Sequence, residues 1–176
     1  RDKERKNKTL VANMLPQMRE YMLYLSLYNG IDELEIGVDE GSVIEEPVKD
    51  SPKAERPVVM YGTSILQGGC ASRPGMAFTA ILGRKLDREV INLGFSGNAK
   101  LDYEIAEYIT RVSDPGLIVL DYVPNSSAEL IGERGEEFFR IIRDAFPDVP
   151  VIFVEDPTFP HTRFDRKMLD EVTTPS

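Results

Sequence analysis

Four short apolar runs set the strongest limit on what this chain can fold into. Val58-Val59-Met60-Tyr61, Val90-Ile91-Asn92-Leu93, Leu117-Ile118-Val119-Leu120 and Val151-Ile152-Phe153-Val154 lack the polar alternation of a half-solvated strand. A strand that is apolar on both sides must be covered on both faces, which is the situation of a parallel strand in a β–α–β unit. The stretches between the runs have helical spacing. Met76, Ala80, Ile81 and Leu82 mark a helical stretch over 76–86, and Ile105, Ala106 and Ile109 face inward over 103–112. Residues 129–146 form a long amphipathic pattern stopped by Pro147, and 164–172 looks like one more helix. The expected fold from residue 57 onward is α/β: a three-layer α/β/α sheet of four parallel strands, with the strand after Pro57 inside it.

The chain before that point has a different grammar. Residues 1–8 carry five basic and two acidic side chains and read as a solvated end. Leu10-Val11-Ala12 is short and apolar. Along 21–28, Tyr21, Leu23, Leu25 and Leu27 alternate with Met22, Tyr24, Ser26 and Tyr28. Asn29-Gly30 is a hairpin signal, and Leu34, Ile36 and Val38 alternate again. This predicts a short N-terminal antiparallel β segment over 1–45. A polar linker over 46–56 separates it from the α/β domain at 57–176.

Composition removes several classes of function. The formal net charge of −9 argues against a nucleic-acid or anionic-membrane surface. One Cys and one His exclude a disulfide framework and a Cys/His zinc cluster. No run reaches the ~18 apolar residues of a membrane span. Gly62 to Gly69 lacks the Gly-Lys-Ser/Thr of a phosphate loop, and Gly94-Phe95-Ser96-Gly97 is not the spaced glycine set of a dinucleotide fold. Cys70, after Gly68-Gly69, reads as a buried structural thiol.

In an open parallel sheet, ligands bind beyond the carboxyl ends of the strands. Four loops lie there: Gly62-Thr63-Ser64-Ile65, Gly94-Phe95-Ser96-Gly97-Asn98, Asp121-Tyr122-Val123-Pro124-Asn125, and Glu155 through His161. Ser64 places a hydroxyl at a strand-to-helix turn, where it is either a cap or a nucleophile. Gly97 permits a ligand to approach a backbone N–H, or is a turn glycine. Asn125 aims an amide at the same rim, or caps a turn. A nucleophile beside two hydrogen-bond donors is what acyl transfer needs.

Tyr61-Gly62-Thr63-Ser64-Ile65-Leu66 resembles the first sequence block of the SGNH hydrolases, also called GDSL lipases/acylhydrolases. Ile91-Asn92-Leu93-Gly94-Phe95-Ser96-Gly97 resembles the second and Leu120-Asp121-Tyr122-Val123-Pro124-Asn125 the third. The resemblance runs from Pro57 to the C-terminus. It is nearest to a bacterial branch in which a β-sandwich precedes the hydrolase domain, which implies that 1–45 is the tail of such a sandwich. It implies a flavodoxin-like sheet and a serine esterase or acylhydrolase with no cofactor or metal, acting on acylated carbohydrates or small molecules. It also implies that Ser64 is the nucleophile, and that the N–H groups of Ser64 and Gly97 and the amide of Asn125 form the oxyanion hole. That branch tends to be exported, which implies a periplasmic or secreted location.

Two departures stand out. Thr63 occupies a position where many members have Asp. The Asp-x-x-His block that supplies the base is absent, and the lone His161, with Asp156 nearby, lies in the loop after the fourth strand. Thr63, Asp156 and His161 are carried as substrate-contact candidates. The expectation is a truncated hydrolase domain that holds nucleophile and oxyanion hole while its base lies beyond Ser176. A non-catalytic carbohydrate- or ligand-binding module, and a flavodoxin-like nucleotide or flavin binder, are the competing readings.

Overall fold

A computed structural model describes residues 7–48, 53–155 and 164. Four strands, β1 (Lys53–Gly62), β2 (Arg88–Gly94), β3 (Leu117–Asp121) and β4 (Val151–Phe153), form one sheet in the order β2-β1-β3-β4. All three pairings are parallel. The four apolar runs are these strands, and β1 lies inside the sheet as expected. Helices α1 (Ser64–Gln67) and α2 (Phe78–Leu86) connect β1 to β2. Helix α3 (Tyr103–Ile109) connects β2 to β3, and α4 (Ala128–Ala145) connects β3 to β4. This is a three-layer α/β fold of flavodoxin-like strand order.

Alternation along β1 divides the core. Val59 and Tyr61 join Ile118, Leu120, Ala106, Ile109, Phe138 and Ile142 on the face covered by α3 and α4. Val58 and Met60 join Leu66 and Val119 in a smaller cluster on the other face. Ser127 caps α4, accepting from Leu130 N–H at 3.2 Å, which starts the helix directly after the β3 loop.

Tyr61 is fully buried, with its ring stacked on Phe138 at 5.1 Å. Its hydroxyl accepts from the Leu101 N–H at 3.1 Å. Burial pushes its pKa up to about 12 from the ordinary 10.0. Between those two values the unfolded chain loses the proton while the folded chain keeps it, so stability is full below pH 10 and falls as pH rises toward 12. Tyr61→Phe is expected to flatten this alkaline loss in urea melts. At neutral pH it should cost about 1–3 kcal/mol, because Leu101 N–H is left buried without an acceptor.

Among the described residues, the expected antiparallel β segment is not seen. Residues 7–48 contain no strand, and Asn29-Gly30 makes no hairpin. An alternating sequence becomes a strand only when a neighbour takes up its N–H and C=O groups, and no described residues supply that ladder. The segment is irregular, and Tyr24, Leu27 and Tyr28 contact the α/β unit. Tyr24 and Leu27 are its half-buried anchors, and they come from opposite faces of the expected strand. Arg84 stacks over Tyr24 at 5.2 Å. The helix expected over 164–172 lies outside the described residues, except for Phe164. No helix among the described residues is long and apolar enough to cross a membrane.

Candidate active site

The strand register brings three loops to one level. Gly62 at the end of β1 pairs with Gly94 on one side and Asp121 on the other. Ser64, Gly97 and Asn125 stand two, three and four residues beyond those partners, counting 64 − 62, 97 − 94 and 125 − 121. The chain goes from β1 to β2 on one side and then returns to β3 on the other. The loops after β1 and β3 therefore diverge, and the crevice at such a switch point is where open α/β sheets take ligands.

Close backbone approach holds the level. A Cβ on Gly62 would stand 2.6 Å from the Asp121 carbonyl oxygen, and one on Gly94 only 2.2 Å from the Gln67 nitrogen. Both positions demand glycine because another segment's backbone occupies the space. Asn92, the polar residue inside the β2 run, ties the same elements together. Its amide donates to Leu66 O at 2.9 Å and Thr79 Oγ1 at 3.0 Å, and its oxygen accepts from Gly94 N–H at 2.9 Å. Reading for rim chemistry passed over Asn92, although an amide within an apolar strand run is itself a signal of an internal polar partner.

Ser64 is half-buried as the first residue of α1. That helix is one turn long and ends at Gly68, whose φ is 106°. It therefore contributes individual N–H groups rather than a sizeable macrodipole. Gly97 is exposed at φ 69°, with open space where a Cβ would lie. Its glycine is required by backbone conformation, not by crowding. Asn125 ends the turn Val123–Asn125, and its side-chain amide donates to the carbonyl of Asn98, next to Gly97. The β2 and β3 loops are thus joined by the two candidate donor segments themselves. In the floor of the rim, burial raises the phenol pKa of Tyr122.

Thr63 is 1% exposed, and its hydroxyl accepts from Ile65 N–H at 3.4 Å. The structure places it beneath the rim as the cap of α1, where an Asp side chain would accept the same hydrogen bond. Asp156 and His161 lie outside the described residues. Cys70 is exposed, contrary to the buried thiol expected, because the chain turns outward after Gly68. Gln67, which sequence reading did not single out, accepts from Ser96 N–H at 2.8 Å and donates to Leu27 O at 2.9 Å.

Fold and switch point together define a three-layer α/β domain whose ligand crevice lies beyond the carboxyl ends of β1 and β3. Residues 55–176 match the GDSL-like lipase/acylhydrolase family, and residues 1–44 match the N-terminus of SGNH-hydrolase-type esterases. The chain belongs to the GDSL-like lipase/acylhydrolase family. It is 38% identical to a Bacteroides ovatus ATCC 8483 protein described as a GDSL-like lipase, with a TM-score of 0.77 over 85% of this chain. The chain spans 43% of that protein's length. Two more distant structures also align. The salicylyl-acyltransferase SsfX3 from a tetracycline biosynthetic pathway is 18% identical, with a TM-score of 0.49 over 65% of this chain and 35% of its own. A family two carbohydrate esterase from Clostridium thermocellum is 15% identical, with a TM-score of 0.46 over 68% of this chain and 49% of its own. No curated protein matches the chain.

Proposed function

We propose that this chain carries the nucleophile and the oxyanion site of a serine esterase that cleaves carboxylic esters of carbohydrates or small molecules. The observation that carries this reading is that the loops bearing Ser64, Gly97 and Asn125 leave the sheet from the level strand ends Gly62, Gly94 and Asp121 at the switch point, with the Asn125 amide reaching the Asn98 carbonyl. In the reaction, Ser64 Oγ bonds to the ester carbonyl carbon and its proton passes to a base. The carbonyl oxygen takes negative charge facing the N–H groups of Ser64 and Gly97 and the Asn125 amide. Collapse of that adduct breaks the bond to the alcohol, which leaves with a proton. Water then attacks the acyl-Ser64 ester and releases the acid. Thr63 acts from below by fixing the turn that aims Ser64, while Asp156 and His161 are the substrate-contact candidates in the loop after β4. The sequence has no Asp-x-x-His block, and its one histidine, His161, is the candidate base within it.

The test is labelling with a fluorophosphonate, located by peptide mass spectrometry, with and without added imidazole and with Ser64→Ala as control. Labelling of Ser64 that needs imidazole supports the reading and places the base outside the chain. The rate without imidazole is then expected to be about 10⁴-fold lower. Labelling without imidazole supports the reading with a base within the chain, for which His161 is the candidate. No labelling above Ser64→Ala under either condition overturns it in favour of a non-catalytic binding module.

A further inference from the structure

Three features of the N-terminal segment converge on the helix that bears Ser64. Leu27 packs where a Cβ on Gly68 would lie, 2.8 Å from the Leu27 Cδ1. The Tyr28 hydroxyl donates to the Ser64 carbonyl at 3.5 Å. The Leu27 carbonyl accepts from the Gln67 side-chain amide at 2.9 Å. The other end of that amide faces the opposite way, its oxygen accepting from the Ser96 N–H at 2.8 Å. Partner chemistry fixes the orientation: a backbone N–H needs the oxygen, and a backbone carbonyl needs the NH₂. Gln67 is half-buried, and its own backbone abuts Gly94, so the side chain has a fixed base from which to span the two segments.

We propose that Gln67 is a positioning residue that couples the docked N-terminal segment to the loop carrying Gly97. Seating Leu27 and Tyr28 on α1 holds the Gln67 amide. That amide holds Ser96, and Ser96 sets the direction of the Gly97 N–H next to it. The role in catalysis rests on the esterase reading above, whereas the coupling itself does not. A donor displaced by a fraction of an ångström loses much of its value to a developing oxyanion. The N-terminal segment is thereby part of the apparatus that shapes the site, even though it contributes no group to the reaction.

The two ends of the amide can be separated by substitution. Gln67→Ala removes both hydrogen bonds. Gln67→Glu keeps an acceptor for Ser96 N–H and removes the donor to Leu27 O. Three readouts are needed: hydrogen exchange of the Ser96 amide by NMR, chymotrypsin cleavage after Tyr24 and Tyr28, and the rate of Ser64 labelling. In Gln67→Ala, Ser96 exchange and cleavage should each rise about tenfold, and labelling should fall about 10–100-fold. In Gln67→Glu, cleavage should rise while Ser96 stays protected. A general loosening would instead speed exchange of the β1 and β3 amides together with Ser96. That outcome overturns the proposal, as does an unchanged Ser96 in Gln67→Ala or an identical response of the two variants. Should Gln67→Ala fail to fold, Gln67→Met fills the same space without either hydrogen bond. If Ser64 never labels, the exchange and cleavage results still decide the coupling, so its failure and that of the esterase reading are distinguishable.

Discussion

Gly94→Ala is expected to lower stability by at least about 3 kcal/mol and to disable the rim in whatever fraction stays folded. The new methyl carbon would stand 2.2 Å from the Gln67 nitrogen, 2.5 Å from its Cα and 2.9 Å from its Cβ. Two of those atoms are backbone, so no rotamer change relieves the overlap. Either β2 drops away from β1 at its carboxyl end, or α1 lifts off the sheet. The first breaks the Phe95 N–H to Gly62 O bond of 2.8 Å, and the second moves Ser64. Urea melts followed by circular dichroism would check the stability loss. A melt within about 0.5 kcal/mol of the parent would show that the β2–α1 contact is looser than the structure has it.

Asn125→Ala is expected to slow Ser64 labelling and ester turnover about 10²–10³-fold, the usual consequence of deleting one oxyanion donor. Its effect on stability should be small, about 1 kcal/mol, since the half-buried amide gives up one hydrogen bond, to Asn98 O. Asn125→Asp is the sharper variant. It sets a carboxylate against both the Asn98 carbonyl and the developing oxyanion, so it should be slower still while keeping the side chain's shape. Paired labelling kinetics and thermal melts separate the two effects. Equal rates for the parent and both variants would remove Asn125 from the oxyanion site and leave it as a loop tie.

The contrast between the two halves of the chain explains what could be read without coordinates. The apolar runs beginning at Val58, Val90, Leu117 and Val151 specify buried strands, because both faces of each run need covering wherever it sits. The helix after Asn125 is equally legible, since Ser127 caps it and Phe138 and Ile142 recur on its inner side. Over 21–28 the alternating pattern led to an expectation of strand, and the structure has none. Alternation states which side chains could share a face, but a ladder needs a second strand in register, and that is not encoded locally. Cys70 shows the same limit on a smaller scale. It is exposed just past the left-handed turn at Gly68, a backbone conformation that the apolar pattern does not report.

The candidate site divides along the same line. That Ser64, Gly97 and Asn125 belong to one rim follows from their positions just past three strands, because parallel strands all end on one side. Residue order alone did not show that their strand ends are level at Gly62, Gly94 and Asp121, or that Thr63 sits beneath the rim as a cap. Nor could it show Gln67 spanning from Ser96 to Leu27. Periodicity and turn chemistry act over a few residues and survive in the sequence as pattern. Register, close backbone approach and a side-chain amide shared by two distant segments arise only when the sheet has assembled and brought those segments within hydrogen-bonding distance.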